Sequence, residues 1–446
     1  MIAALSLATT MLTETATPAR AFVDSIGVVT HFAYADTPYG NRFETVAQRL
    51  IDLGVRHVRD GVVLGDTLVC ERERSLATHG VRFSYVTQPA LSAGDIAAWA
   101  KCAGPALESF EGPNEYDLSH PAGDTDWAAT LRAFQKTLYD AVKGNAALRS
   151  CPVIGPSLTS ADAFRAVGDL SADLDFGNVH DYFAGHEPET PGYGLGGYGS
   201  IEYNLEGARL LSGAKPIVAT ETGYGTGTGH GDVPDDVQAA YVPRLFLTQF
   251  AAGIARTDEY ELLDEGPEPF DRFGLLRSDL SPKPAYVALQ SLIAALADGD
   301  ATPRSERLSY SLEGDVPGLR HALFEKHDGR FVLALWIARP TIEPHTKLSY
   351  PVPLRTVHVR TDRPAALRAL RFDASYRLVA GNTARGGIRV DLDDRVALVE
   401  IVPSPPLGLE RDLAVNVADA MRDIGPRKSA RIRETFGLTR DPNLTE

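Results

Sequence analysis

The sequence predicts an α/β fold, a (β/α)8 barrel of the TIM type followed by a smaller antiparallel β-sandwich. Between residues 22 and 296, short β-branched or apolar runs alternate with stretches of helical spacing. After residue 298 the pattern changes to short alternating segments separated by turn residues. The first pattern is typical of parallel strands with helical crossovers, and the second is typical of antiparallel sheets.

The strands of the predicted barrel are eight short runs, and no GxGxxG follows the first of them. That absence and the number of units favour a closed barrel over an open doubly wound sheet. The predicted strands are residues 22–29, 55–59, 81–86, 107–111, 152–155, 174–180, 216–220 and 258–263. The predicted helices are residues 43–53, 95–102, 127–142, 201–211, 241–251 and 284–296.

The sandwich is predicted from seven alternating segments, which turn dipeptides such as Asp328-Gly329 separate. These segments are residues 308–312, 321–324, 331–337, 356–360, 369–372, 388–392 and 396–402. We therefore expect a barrel over residues 22–300 and a sandwich over residues 301–403. Residues 404–446 form a tail with one helical pattern, at Leu413, Val417, Met421 and Ile424.

The first 21 residues resemble the remnant of a signal peptide, because residues 2–12 are mostly apolar and Ala19-Arg20-Ala21 fits a small-residue cleavage site. A basic n-region is missing, so a trimmed start and a segment with no export role remain alternatives. We expect export to an extracytoplasmic space and leave this segment out of the predicted fold.

Composition and charge exclude several classes of protein. The chain has 446 residues, of which 44% are hydrophobic and 23% charged, enough to bury a large core and unlike a disordered chain. No run reaches 18 apolar residues, which argues against a membrane span. A net charge of −15 disfavours nucleic acid, whereas a neutral ligand such as a sugar is not repelled.

The three cysteines are Cys70, Cys102 and Cys151. They show no CxxC spacing, so a zinc site is not expected. A bridge between Cys70 and Cys102 is one interpretation, since these two are nearer in sequence, and three reduced buried thiols are the other.

Two glutamates at strand ends point to the chemistry. Glu115 follows the fourth predicted strand and Glu221 follows the seventh, and catalytic groups of such barrels sit at the carboxyl ends of strands. Glycoside cleavage needs two facing carboxyl groups, one to protonate the leaving oxygen and one to attack the anomeric carbon or activate water. Either glutamate alone is more often a surface charge or part of an ion pair, but the placement of both favours catalysis.

The surrounding motifs resemble clan A of the glycoside hydrolases over residues 22–300. Asn114-Glu115 matches the clan's Asn-Glu pair, which implies that Asn114 binds the sugar 2-hydroxyl and that Glu115 is the acid/base. Glu221 matches the nucleophile and Arg59 the arginine that keeps it ionised. His180 and Tyr182 match the clan's His-x-Tyr, whose tyrosine hydrogen-bonds the nucleophile.

Within the clan, the sequence resembles family 39 and cellulase-like proteins, which often have a sandwich after the barrel. Residues 273–276 and 282–286 resemble the end of the clan's barrel domains. One departure is the missing tryptophan at the end of strand eight, where residues 260–264 read Tyr-Glu-Leu-Leu-Asp. The group that packs under the reacting sugar is therefore left open.

Four further residues are candidates for sugar contact. His31 follows the first strand and can bind a sugar hydroxyl, with a structural role as the alternative. Tyr224, Tyr193 and Tyr198 have aromatic faces that pack on pyranose rings, or they pack their own loops. Glu111, four residues before Glu115, is interpreted as a buried partner of Arg59.

The sequence thus predicts a retaining glycoside hydrolase that cleaves β-type bonds of a poly- or oligosaccharide without a metal or organic cofactor. A transglycosylase with the same glutamates is an alternative, distinguished by a hydrophobic acceptor side, and a non-catalytic carbohydrate-binding barrel is another. The loops at residues 185–200 and 223–236 either enclose a pocket or line a groove, and we expect an endo-acting enzyme. Oligomeric state is left open.

Overall fold

The computed structural model describes residues 10–268, 271–299, 302 and 304–404. The predicted tail helix and the first nine residues of the expected signal-peptide remnant lie outside this range. No helix among the described residues is both long and apolar enough to cross a membrane.

The described strands, numbered in chain order, are β1 (Leu12–Thr15), β2 (Thr17–Pro18), β3 (Ile26–Val29), β4 (His57–Gly61), β5 (Arg82–Val86), β6 (Leu107–Glu111), β7 (Val153–Ile154), β8 (Gly177–His180), β9 (Ile217–Thr222), β10 (Thr257–Glu259), β11 (Arg307–Glu313), β12 (Leu319–Glu325), β13 (Phe331–Ile337), β14 (Arg355–Thr361), β15 (Ala365–Phe372), β16 (Leu378–Arg385), β17 (Gly387–Leu392) and β18 (Ala397–Pro403).

The described helices are α1 (Ala19–Val23), α2 (Pro38–Asn41), α3 (Phe43–Leu53), α4 (Thr67–Leu76), α5 (Ala93–Ala103), α6 (Tyr116–Ser119), α7 (Trp127–Gly144), α8 (Ala161–Val167), α9 (Ile201–Ser212), α10 (Asp235–Ala251) and α11 (Pro284–Leu296). Helix α3 shows how the sequence predicts where a helix lies and where it ends. Its buried side chains recur at helical spacing, and Gly54 ends it with φ of 88°, a left-handed conformation that glycine adopts without strain.

The predicted barrel is confirmed. Strands β3 to β10 form one eight-stranded sheet in which all pairings are parallel, with the order β7-β6-β5-β4-β3-β10-β9-β8. A parallel bridge between Ile154 and Phe176 joins its two ends. The carboxyl ends of all eight strands therefore surround one opening, where side chains far apart in sequence meet.

The predicted sandwich is also confirmed, and it shares its core with the barrel. One sheet has the order β1-β11-β14-β17 and the other β16-β15-β18-β13-β12-β2. Strand β13 is buried along its whole length. Val332, Ala334 and Trp336 pack with the barrel, whereas Leu333 and Leu335 pack inside the sandwich, as the alternation of side chains along a strand requires.

Residues 12–18 correct the prediction that the N-terminal segment stands outside the fold. Strand β1 pairs antiparallel with β11, and β2 pairs parallel with β12. Ala19, part of the proposed cleavage motif, is fully buried in helix α1, and that helix occupies the start of the predicted first strand. A local sequence pattern cannot reveal a partner strand about 300 residues away, which is why the prediction failed here.

Cys70 in α4 and Cys102 in α5 form a disulfide bridge, the first of the two interpretations that the sequence left open, with Cα atoms 5.9 Å apart. Cys151 is a buried free thiol. The bridge ties together two neighbouring crossover helices on the outside of the barrel.

Candidate active site

Arg59 of β4 is the centre of a buried polar network at the barrel opening. Its side chain donates to both oxygens of Glu111, at 2.8 Å each. It donates to Glu221 Oε1 at 2.6 Å and to Asn114 Oδ1 at 2.6 Å. Strands β4, β6 and β9 and the segment after β6 thus place one guanidinium against two carboxylates, a geometry that suits the planar arginine fork.

Glu111 is the support of this network rather than a group that faces the opening. It is fully buried, and its Oε1 also accepts hydrogen bonds from Asn178 and Thr220. Burial alone would lower the pKa of Arg59, but the charges of Glu111 and Glu221 outweigh it and raise that pKa. Arg59 is therefore a permanent cation at the base of the site.

Glu221 lies at the end of β9 with only 9% of its surface exposed. Its Oε2 accepts a hydrogen bond of 2.8 Å from the Tyr182 hydroxyl. Burial would raise the pKa of Glu221, but the charges of His180 and Arg59 and the hydrogen bonds from Tyr182 and Arg59 outweigh it and lower that pKa. The Glu221 carboxylate is thus held ionised.

Glu115 occupies an unusual backbone position between β6 and the short helix α6. Its φ of 41° and ψ of 49° are left-handed, which is rare for a residue with a side chain. Its backbone N–H donates to Ser157 Oγ at 2.9 Å. The Glu115 side chain is 27% exposed, so it reaches solvent at the opening while Glu221 remains enclosed.

His180 lies between the two carboxyl groups. Its Nδ1 is 2.8 Å from Glu115 Oε1 and 3.6 Å from Glu221 Oε2, and its Nε2 is 3.1 Å from Thr220 Oγ1. Burial alone would lower the pKa of His180. The charge of Glu221 and the hydrogen bond to Glu115 outweigh this effect, so the pKa of His180 is raised. One carboxylate oxygen of Glu115, the Glu221 oxygen and the His180 nitrogen all lie within 4.8 Å of one another.

Among the described residues, two clusters have donor sets that a divalent cation accepts: Glu115, His180 and Glu221, and a second formed by His31, Glu261 and Glu265. In each cluster the histidine Nδ1 lies within hydrogen-bond distance of a glutamate oxygen. This pairing accounts for the arrangement of both clusters without an ion.

A cavity of about 770 Å³ opens above the two glutamates. Four of the residues singled out from the motifs line it: Glu115, His180, Tyr182 and Glu221. Tyr193 and Tyr198 line it as well. A volume of this size holds several sugar rings or a drug-sized molecule.

Two of the four further candidates for sugar contact, Tyr224 and His31, do not face this cavity. Tyr224 is 1% exposed, its hydroxyl donates to the backbone oxygen of His186, and its ring stacks with Phe183, so it packs the loop. The expectation that Tyr224 contacts a sugar is therefore wrong. His31 pairs with Glu265 and packs against Tyr260 without lining the cavity. Arg59 and Asn114 also lie outside its lining, beneath Glu221 and beside Glu115.

The cavity has aromatic walls that sequence reasoning missed. Tyr260 and Phe273 line it, with ring centroids 5.7 Å apart, and each packs edge-on against Tyr182. Gly223 allows the backbone of Tyr260 to approach closely, because a Cβ there would lie 2.4 Å from the Tyr260 backbone oxygen. Tyr260 directly follows strand β10, the position where the sequence lacks the clan's tryptophan. This position could have identified Tyr260 as a wall residue from the sequence alone.

The chain matches no protein-family profile and no curated protein. Its structure is similar to that of a family 39 glycoside hydrolase from the gut symbiont Bacteroides cellulosilyticus WH2, with a TM-score of 0.53 and 17% identity. That match covers 87% of this chain and 81% of the other. The chain has the fold of this family 39 enzyme. The fold-level likeness that the motifs predicted is thereby confirmed.

More distant similarities involve other carbohydrate enzymes. A β-1,3-glucanosyltransferase of glycoside hydrolase family 17 from Rhizomucor miehei matches at a TM-score of 0.41 and 16% identity, over 60% of this chain and 97% of the other. A calcium-binding mutant of β-glucuronidase 2 from Bacteroides uniformis matches at 0.43 and 12%, over 82% and 45%.

Proposed function

We propose that this protein is a retaining glycoside hydrolase that cleaves a β-type bond, with Glu221 as nucleophile and Glu115 as acid/base. The observation that supports it most is the pairing of an ionised, enclosed Glu221 with a solvent-reaching Glu115 whose nearest oxygen is within 4.8 Å. Retaining enzymes have their two carboxyl groups about 5 Å apart, whereas inverting enzymes need about 6.5–9.5 Å to admit a water.

In the first step, a Glu221 oxygen bonds to the anomeric carbon as the glycosidic C–O bond breaks. The Glu115 carboxylic acid gives its proton to the leaving oxygen. Arg59 and Tyr182 fix the direction of the Glu221 carboxylate, so the attacking oxygen needs little reorganisation.

In the second step, Glu115 takes a proton from water as the water oxygen bonds to the anomeric carbon and the bond to Glu221 breaks. His180, hydrogen-bonded to Glu115 and close to Glu221, positions the acid/base in both steps. Arg59 orients Asn114 by donating to its Oδ1, which turns the amide NH2 away from the guanidinium and makes it the donor for the sugar 2-hydroxyl.

Tyr260 replaces the missing tryptophan as the aromatic surface beneath the reacting sugar in this proposal. It lines the cavity next to Tyr182, and aromatic faces pack on the apolar faces of pyranoses. The substrate is a neutral poly- or oligosaccharide, consistent with the acidic net charge of −15. We also propose an extracytoplasmic location, because disulfides such as Cys70–Cys102 persist in oxidising compartments.

The decisive experiment follows the anomeric configuration of early products by NMR, using β-linked glycans and aryl β-glycosides with wild type, Glu221→Ala and Glu115→Ala. We expect retained configuration, activity lost in both variants, and partial rescue of Glu115→Ala by azide with a β-glycosyl azide as product. Glu108→Ala, a carboxylate at the opposite end of β6, is the matched control and keeps activity. Inversion, or full activity in Glu221→Ala, would contradict the proposal.

A further inference from the structure

Part of the cavity lies along residues 158–164 and 193–207, and this region is called the tyrosine side below. Its walls are the loop after β7, the first turns of α8 and α9, and the loop before α9. Leu158, Phe164, Tyr193, Tyr198 and Tyr203 provide its apolar surface.

Three tyrosines form a continuous row on this side. Tyr193 stacks on His186 with centroids 4.7 Å apart, and its hydroxyl donates to the backbone oxygen of Tyr182. Tyr198 packs edge-on against Tyr193 at 5.5 Å and against Tyr203 at 5.6 Å. The row therefore begins next to Tyr182, the residue that hydrogen-bonds Glu221.

The loop packs closely against the tyrosine row, yet part of the ring surface remains exposed. Gly199 lies under Tyr193 with φ of 86°, and a Cβ there would come within 2.1 Å of that ring. Despite this close packing, Tyr193 is 36% and Tyr198 47% exposed. An ordered aromatic ring that faces a cavity is a surface for a flat or ring-shaped ligand group.

The chemistry of the tyrosine side is apolar and uncharged. The described residues that line it include no Asp, Glu, Lys or Arg, and its polar groups are those of Thr159, Ser160 and Asn204 together with the tyrosine hydroxyls. A charged ligand group would lose hydration here without an opposite charge as compensation. A pyranose ring, with apolar faces and hydroxyls at its edge, suits such walls.

The position of the tyrosine side next to Glu115 indicates which part of the substrate it contacts. The acid must reach the glycosidic oxygen, so the leaving group lies next to Glu115 and away from Glu221. The loop after β7 both supports Glu115, through Ser157, and forms the first wall of the tyrosine side. The leaving group therefore enters this region.

We propose that the tyrosine side binds an uncharged pyranose, first as the leaving group and then as an acceptor that competes with water, so that the enzyme also transfers glycosyl groups. This inference rests on the proposed function. In the transfer step, the acceptor hydroxyl oxygen bonds to the anomeric carbon and its proton goes to Glu115. The bond to Glu221 breaks, and its electron pair returns to that carboxylate.

The test measures the ratio of transfer product to free sugar with β-glycosyl fluorides of glucose, galactose, xylose and mannose as donors. Fluoride is too small a leaving group to reach Tyr198. The rate of fluoride release therefore reports on the reacting site independently of the tyrosine side. Acceptors are methyl β-D-glucopyranoside and, as its charged counterpart, methyl β-D-glucuronide. We expect at least about tenfold less transfer to the glucuronide.

Variants of the row make the test specific. Tyr198→Ala lowers the ratio of transfer to hydrolysis about tenfold, and Tyr198→Phe, which keeps the ring, restores it. Leu195→Ala, in the same loop but 97% exposed and outside the cavity, is the matched control and changes nothing. Equal transfer to both acceptors, or an unchanged ratio in Tyr198→Ala, overturns the inference.

Failure of the proposed function gives a different result, since no donor then releases fluoride. Saturation-transfer NMR with methyl β-D-glucopyranoside still decides the binding site in that case. Ligand signals that Tyr198→Ala abolishes and Leu195→Ala keeps support the tyrosine side as a pyranose site. Equal signals in wild type and Tyr198→Ala overturn it.

Discussion

Glu221 and Glu259 lie on neighbouring barrel strands but in opposite electrostatic environments. Strands β9 and β10 pair in parallel, with Glu259 opposite Thr222. Glu221 accepts hydrogen bonds from Arg59 and Tyr182. Glu259 is fully buried, and among the described residues neither of its carboxyl oxygens has a hydrogen-bond partner.

The two carboxyl groups therefore differ in how readily they ionise, although both are buried. The pKa of Glu221 is lowered, whereas burial raises the pKa of Glu259 well above its usual value. Partners rather than depth decide which buried carboxyl group stays ionised. Glu221, the proposed nucleophile, differs from Glu259 because one arginine, two residues before the end of β4, reaches it.

The largest expected effect comes from removing that arginine. Arg59→Met would leave Glu111 and Glu221 buried without their cation and make Glu221 resemble Glu259. We expect a loss of about 3–5 kcal/mol in the free energy of unfolding and a fall of about 100- to 1,000-fold in kcat/KM. Urea unfolding and glycosyl fluoride hydrolysis measure these two quantities.

Arg56→Met is the matched control, because Arg56 is on the same segment but its side chain is 51% exposed. It is expected to change the free energy of unfolding by less than about 1 kcal/mol. If the two variants behaved alike, the partner-based explanation of the Glu221 charge would be wrong.

Tyr182→Phe removes one partner of Glu221 and leaves Arg59 in place. A hydrogen bond to a charged group contributes about 1.5–3 kcal/mol, so we expect kcat/KM to fall about 10- to 100-fold. Because this bond lowers the pKa of Glu221, the acidic limb of the pH profile moves to higher pH. An acidic limb that stays in place would show that Tyr182 does not act on the pKa of Glu221.

The smallest expected effects are on the free energy of unfolding, and they come from Glu221→Gln and Glu259→Gln. These two variants also compare the two carboxyl groups most directly. A lowered pKa gives Glu221 a contribution to stability that is present above its unfolded pKa, about 4.3, and lost as pH falls through the folded pKa. A raised pKa gives Glu259 a contribution that is complete below about 4.3 and lost as pH rises through the folded pKa.

The two substitutions should therefore have opposite pH dependence. Glu221→Gln is destabilising near pH 7, and its cost shrinks toward pH 4. Glu259→Gln is near neutral at pH 4 and becomes stabilising as pH rises. Urea unfolding at several pH values between 4 and 8 measures both, and parallel curves would contradict the comparison.

The sequence predicted the polar network better than the walls of the cavity. Residues at strand ends, such as Arg59 and Glu221, have positions fixed by the barrel itself, so motif order was sufficient. Loop residues lack this constraint. Tyr224 and Tyr198 are both aromatic loop residues, yet one is buried and the other lines the cavity, because packing of whole loops decides which way a ring points.

The pairing of β1 with β11 also bears on how the chain is made. Thr13 and Ser309 hydrogen-bond across a separation of 296 residues. At about 5–20 residues per second, ribosomal synthesis leaves the first strand without its partner for about 15–60 s. The sandwich is thus completed only after the entire barrel has been translated, and a fragment cut at residue 300 would keep β1 but lack the strand that it pairs with.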